Sequence, residues 1–219
     1  MNAAPKRIVL DALHRELGAR MGPFAGYEMP IQYPAGLKAE HLHTREAAGL
    51  FDVSHMGQLR VRARNIRVTT LQRSLEAALP VDFDGWATGV QRYSYLLNDD
   101  GGIEDDLMLV NLGDEVRIVV NAGNRDHDLR LLAQRCPDLE LEWIDAALLA
   151  LQGPRAEAVL AKLDAQAAPM LFMEARTLSL LGAPCFTTRS GYTGEDGYEI
   201  SVPAEAAEAL VRRLLADPD

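Results

Sequence analysis

The stretch YSYLLNDDGGIEDDLMLV, residues 93–110, decides the fold class. Two apolar runs, residues 93–98 and 103–110, flank Asp99, Asp100, Gly101 and Gly102. Asp and Gly supply the positive-φ positions of a tight turn, so the spacing predicts a β-hairpin. Residues 109–111 and 115–120 repeat the pattern around Gly113 and Asp114. Strands joined by such short turns pair antiparallel, which favours an α+β fold with mainly antiparallel sheets and packed helices over a doubly wound parallel sheet.

Working outward, residues 58–68 alternate, with Leu59, Val61 and Ala63 on one side and Arg60, Arg62 and Arg64 on the other, the period of a half-buried strand. Further strands are expected at 50–53, 139–144, 147–151, 177–181, 185–188 and 198–202. Helices are expected at 8–17, 38–48, 69–79, 125–135 with Asn124 as N-cap, from Pro154 to Leu163, and at 204–215. Residues 21–37 carry Gly22, Pro23, Gly26, Pro30, Pro34 and Gly36 among aromatic residues, and are expected to form an ordered, core-anchored loop. Two intertwined lobes are expected, residues 54–137 being an α+β lobe inserted into a discontinuous first lobe of residues 1–53 and 138–219.

With 219 residues, 48% hydrophobic and 25% charged, the chain can bury a real core, which excludes disorder and collagen-like structure. Its 22 Lys and Arg against 32 Asp and Glu give a net charge of −10. Duplex DNA and anionic membranes need a cationic footprint, so no nucleic-acid or membrane partner is expected. Cys136 and Cys185 are too few for a disulfide framework and read as buried thiols of a reducing compartment. Lys6 and Arg7 are followed by no long apolar core, and no apolar run approaches the roughly 20 residues that span a bilayer, so a cytoplasmic location is expected.

GxGxxG after a strand, GxxxxGK[ST], CxxC and HExxH are all absent. Gly191, Gly194 and Gly197 are spaced by three, but no Lys-Ser or Lys-Thr follows, so a folded turn is the better reading. His41 and His43, two apart on a helix, face different ways and cannot chelate one ion, so no metal is expected. His55 reads as a hydrogen-bonded structural histidine. Asp105 and Asp106 are adjacent on a strand, so one carboxylate must face the buried side, where it needs a partner or a perturbed pKa. The alternative is a turn-capping pair. Glu199 alternates with Tyr198 and Ile200 and shares a face with Gly197 and Ser201. Arg60, Arg62 and Arg64, with Arg67 and Arg73 nearby, read either as a solvated strand face or as a landing surface for an acidic partner.

Six stretches occur in order: PFAGYEMPIQY (23–33), FDVSHMGQ (51–58), GGIEDDL (101–107), VVNAG (119–123), ALQGP (150–154) and GYTGEDGYE (191–199). Through them the chain resembles the aminomethyltransferase, or T-protein, family of the glycine cleavage system. The resemblance implies a tetrahydrofolate enzyme on a cloverleaf fold that ends in a C-terminal β-barrel. Members take the aminomethyl group from the lipoyl arm of the H-protein, release ammonia and form 5,10-methylenetetrahydrofolate. It implies Asp106 as the catalytic carboxylate near the folate N5 and N10, Glu199 as the group gripping the pterin, and Met56, Asn121 and Tyr192 as pocket residues. The two carboxylates are expected to share one cleft.

Family members continue through an Ala-Arg-Asp motif and the terminal barrel, whereas this sequence stops at Asp219. A shortened protein with weakened folate binding and little activity is therefore expected. Folate-binding domains of dimethylglycine and sarcosine dehydrogenases follow a flavin domain, while here the matching stretch starts near Met1. The iron–sulfur-repair branch carries Lys-Gly-Cys-Tyr-x-Gly-Gln-Glu, which residues 190–195 do not match. The alternative function is a non-catalytic folate-binding or H-protein-docking module.

Overall fold

A computed structural model describes residues 4–218. The chain divides into two compact units, one formed by Met56–Asp145 and the other by the described residues before and after that segment. The boundary expected at residue 138 therefore falls after Asp145. The reason is pairing: Leu139–Trp143 runs along Gly57–Ala63, with Val61 opposite Leu141, and a strand belongs to the sheet that satisfies its backbone groups. Ser54 likewise belongs with the other unit, because its hydroxyl accepts the Leu148 N–H at 3.0 Å.

The discontinuous unit begins with β1 (Lys6–Arg7), α1 (Asp11–Glu16), β2 (Arg20–Phe24), β3 (Tyr27–Gln32), α2 (Leu37–Glu46) and β4 (Gly49–Asp52). The central unit holds β5 (Gly57–Ala63), α3 (Val68–Ala78), β6 (Val90–Leu97), β7 (Ile103–Asn111), β8 (Val116–Val120), α4 (Arg125–Arg135) and β9 (Leu139–Trp143). The chain then returns to the first unit with β10 (Ala146–Gln152), α5 (Ala156–Ala161), β11 (Ala175–Leu180), β12 (Ala183–Arg189), β13 (Gly197–Pro203) and α6 (Ala204–Leu215).

In the discontinuous unit a five-stranded antiparallel sheet has the order β11-β12-β13-β10-β4. Its interior strand β10 is buried from Ala147 to Gln152, which explains its unbroken apolar run. Leu149, Leu151, Leu160, Tyr198, Ile200 and Leu210 fill the core beneath it. On α6, Ala207, Leu210, Val211 and Leu214 recur at three- and four-residue spacing and supply the helix face that is buried. Each fully buried Leu or Ile contributes about 1.5–3 kcal/mol relative to exposure. In the central unit the sheet order is β6-β7-β8-β5-β9, with α3 and α4 packed on it over Leu59, Val61, Leu71, Leu75, Leu109, Ile118 and Leu132.

The fold is α+β with mainly antiparallel sheets. Three local expectations need correction. Residues 21–32 are not loop, and only residues 33–36 remain so: β2 and β3 form a hairpin turned by Ala25 and Gly26, whose φ values are 47° and 83°. Its prolines are tolerated because Pro23 lies on the edge strand β2, while Pro30 lies beyond Tyr27 and Glu28, where β1 pairs with β3. The helix expected from residue 8 starts only at Asp11, and the helix after Pro154 starts at Ala156. Among the described residues no helix is long and apolar enough to cross a membrane.

Candidate functional site

Along β7 the side chains alternate, so Asp105 shares the core face with buried Leu107 and Leu109, and Asp106 projects to the other side. The register sets what these carboxylates meet. Leu107 pairs with Val120, which brings Asn121, the residue after β8, alongside Asp106. The Asn121 Nδ2 stands 2.9 Å from Asp106 Oδ1, 2.9 Å from Asp105 Oδ1 and 3.1 Å from the Asp106 carbonyl oxygen. From β6, the Tyr93 hydroxyl donates to Asp106 Oδ2 at 2.8 Å. That bond, with the Asp106 charge, pushes the Tyr93 phenol up to about 12. Asp106 is thus held from both oxygens while remaining half-buried.

Behind Asp106 lies a second carboxyl pair. Burial pushes the Asp105 carboxyl up, but bonds from Asn121, Asn124, Asp128 and the Asp106 N–H outweigh it and hold the group below the usual range. Asn124 does precede α4, but its side chain caps no helix N–H and turns to Asp105 instead. Asp128, on α4, is wholly buried. Burial first, then contact with Asp105 and the charges of Asp105 and Asp106, push its carboxyl up to about 8.

A pH dependence follows from these shifts. An unfolded chain releases the Asp128 proton near the ordinary value of 3.8, whereas the folded chain keeps it until about 8. The folded state therefore binds more protons across that interval, and stability falls as pH rises through it. We expect urea unfolding of wild type to lose stability relative to Asp128→Asn by up to about 1.4 kcal/mol per pH unit between pH 5 and 8. Parallel pH profiles for the two proteins would contradict this.

Met56 opens the central unit, half-buried, and its carbonyl oxygen lies 3.5 Å from the Arg125 Nη1. The Arg125 guanidinium sits 4.7 Å from the centre of the Trp143 ring. Gly57 beside it is required: a Cβ there would stand 2.6 Å from Val120 and 2.7 Å from Trp143.

Glu199 lies in the discontinuous unit on β13, opposite Ala150 and Thr188 on the flanking strands. It is half-buried and its Oε2 is 3.3 Å from the Ser190 hydroxyl, which in turn is 2.8 Å from Thr188 Oγ1. The loop leading to it is pinned at both ends. The Gln152 Oε1 accepts the Tyr192 N–H at 3.0 Å, and the buried Gln152 amide fills the space where a Gly197 side chain would stand. Arg189 bonds Asp196, Glu157 and the carbonyls of Ala168 and Met170. Tyr192 keeps 55% of its surface exposed, yet local burial and then the Glu199 charge raise its phenol above the ordinary range.

Sequence reasoning singled out Asp106, Asn121, Met56, Glu199 and Tyr192. Asp106 and Asn121 are bonded to each other, Met56 stands in the same unit, and Glu199 and Tyr192 stand in the other unit. Tyr93, Asp128, Gln152 and Arg189 escaped notice. Even Tyr93 had no readable signal: counting back from the Gly101–Gly102 turn would set Tyr95 opposite Asp105, and only the register shift between Leu96 and Leu97 sets Tyr95 opposite Asp106, with Tyr93 two residues along the same face.

Two arginines of the stripe, Arg60 and Arg62, are paired with acids of their own unit, while Arg64 donates to the Pro137 carbonyl oxygen. Arg60 pairs with Glu142 at 3.1 Å, and Arg60, Arg62 and Arg117 converge on buried Glu115. The acids that complement it lie mainly on neighbouring positions of the same sheet. His55 packs edge-on against Phe24 and Tyr27. Among the described residues no group of three His, Cys, Asp or Glu side chains is placed to hold a metal ion. A cavity of about 790 Å3 in the discontinuous unit contains the Tyr33–His14–Asp52 chain, with His14 2.7 Å from Tyr33 and 2.8 Å from Asp52. Glu199 is not among its lining residues.

The model of the GCVT N-terminal domain family matches residues 10–219. A mitochondrial aminomethyltransferase of Dictyostelium discoideum is 43% identical, over 96% of this chain and 54% of that protein. An aminomethyltransferase of Herpetosiphon aurantiacus is 41% identical, over 96% of this chain and 58% of that protein. The crystal structure of glycine cleavage system aminomethyltransferase T from Bartonella henselae superposes with a TM-score of 0.89 at 44% identity, over 97% of this chain and 57% of that one. The chain thus spans just over half the length of these relatives.

Proposed function

The chain belongs to the GCVT N-terminal domain family, and from that premise we propose that it serves the tetrahydrofolate-dependent aminomethyl transfer of glycine cleavage, with lipoylated H-protein as the donor. The observation that carries the reading is the Asp106 carboxylate, clamped by Tyr93 and Asn121 in the position the family's motif assigns to the catalytic acid. In the reaction the methylene carbon leaves sulfur and nitrogen for N5 and N10 of tetrahydrofolate, whose two N–H protons end on the dihydrolipoyl thiol and on ammonia.

Asp106 would act electrostatically. A carboxylate beside the reacting nitrogens stabilises developing positive charge and raises amine nucleophilicity by accepting an N–H. Because Tyr93 and Asn121 already fix both oxygens, little reorganisation is needed when that charge appears. Glu199 would hold the pterin, since a carboxylate accepts two parallel N–H bonds from an amino-pyrimidinone edge. Its partial burial and its hydroxyl neighbour Ser190 suit that role. Met56, Asn121 and Tyr192 would border the bound folate.

Glu199→Gln should weaken tetrahydrofolate binding about 10- to 100-fold, the worth of a charge-assisted bond pair. The deciding assay supplies aminomethylated H-protein and tetrahydrofolate and follows ammonia and 5,10-methylenetetrahydrofolate together. Equal amounts of both products support transfer; binding of tetrahydrofolate without either product would favour a non-catalytic folate module.

A further inference from the structure

Three buried carboxyl oxygens behind Asp106 have no N–H donor within bonding distance. Among the described residues both oxygens of Asp128 meet none, and Asp105 Oδ2 meets none, although each is sealed from solvent. The charged groups that face Asp128 are Asp105 and Asp106, both on β7 and both acidic. Two ionised carboxylates in contact and away from water repel each other strongly, whereas one proton between them supplies the missing donor to one oxygen of each. The carboxyl that keeps that proton is the more deeply buried one, with fewer donors. Asp105 accepts from Asn121 and from the Asp106 N–H, and Asp128 accepts from neither.

We propose that Asp128 is a positioning residue for aminomethyl transfer: protonated in the folded protein, it donates to Asp105 and so keeps Asp105 in place as the anchor that holds the Asn121 amide against the Asp106 carboxylate. The inference rests on the proposed role of Asp106 and deepens it. Asp128 touches no reacting atom. It acts through one chain of contacts, from α4 to Asp105 on the core face of β7, to the Asn121 Nδ2 that spans Asp105 and Asp106 at 2.9 Å each, to the outward carboxylate. Ionisation of Asp128 would set two negative charges against each other and push Asp105 off that amide. Asp106 would then keep Tyr93 and lose its second clamp.

The test is a pH titration of the full chain carrying 13C-labelled aspartate carboxyl groups and 15N-labelled asparagine side chains, on wild type, Asp128→Asn and Asp128→Ala. Wild type should show one carboxyl titrating near pH 8, and the Asn121 side-chain amide should report the same transition. Asp128→Asn, which keeps a donor toward Asp105, should abolish that transition and leave the Asn121 amide at its low-pH position. Asp128→Ala should shift the Asn121 amide at every pH; if this variant does not fold, wild type and Asp128→Asn decide alone. Turnover should fall above the same pH through kcat, with KM little changed, and Asp128→Asn should remove that alkaline fall. No carboxyl titrating above the ordinary range, or an Asn121 amide indifferent to pH and to both substitutions, would overturn the proposal. A wild-type chain that shows the titration but neither binds nor converts tetrahydrofolate would instead refute the functional reading and leave the shared proton standing.

Discussion

Asp106→Asn is expected to slow aminomethyl transfer about 10²–10³-fold, the usual effect of deleting one preorganised electrostatic group, while tetrahydrofolate affinity changes no more than a few-fold. The substitution keeps the side chain's shape. One amide oxygen can still accept from Asn121, and the Tyr93 hydroxyl, half-exposed, can rotate to accept from the new Nδ2. What disappears is the negative charge facing the developing cation. Rapid-quench measurement of methylene transfer, beside a binding titration, separates the two effects. A variant that turns over like wild type would remove Asp106 from the chemistry; one that loses binding and rate in equal proportion would make it a binding group instead.

Gly153→Ala should cost on the order of 3 kcal/mol of stability. Gly153 has a φ of 131°, a conformation that L side chains rarely adopt, and a Cβ there would lie 2.3 Å from the Ala47 carbonyl oxygen and 2.6 Å from that of Thr44. Those atoms are backbone at the end of α2 and cannot swing aside. The same residue donates its N–H to the Asp196 carbonyl at 2.8 Å, so the strain would also reach the loop that leads to Glu199. Urea unfolding measures the loss. Stability within about 0.5 kcal/mol of wild type, the usual range of neutral surface changes, would show that the α2 end yields.

The features legible in the sequence were those written into neighbouring residues. The hairpin of β6 and β7 was visible because Gly101, with a φ of 79°, and Asn98, whose Oδ1 accepts the Asp100 and Gly102 N–H groups, make the turn from five consecutive residues. Helix α4 and helix α6 were readable to the residue from their spacing and bounding residues. The β2–β3 hairpin was hidden because proline weighs against a strand unless its edge position is known, and that position is a property of the sheet. The site divides the same way. Asp106, Asn121 and Glu199 were singled out as candidates through motifs, but the side chains that contact them come from distant segments. Tyr93 reaches Asp106 by register, and Asp128 reaches Asp105 from a helix. Arg189 gathers Glu157, Asp196 and two carbonyls from separate parts of its unit. Arg60 and Arg62 were misleading in isolation, since their acidic partners Glu115 and Glu142 lie on the adjoining strand ends.

The central claim, that Glu199 holds the pterin while Asp106 serves the reacting nitrogens, is tested most directly by calorimetric titration of tetrahydrofolate into wild type, Asp106→Asn and Glu199→Gln side by side. The account predicts one molecule bound per wild-type chain, an affinity within a few-fold for Asp106→Asn, and a loss of tenfold or more for Glu199→Gln. Glu199→Gln binding as tightly as wild type, or Asp106→Asn alone abolishing binding, would contradict it.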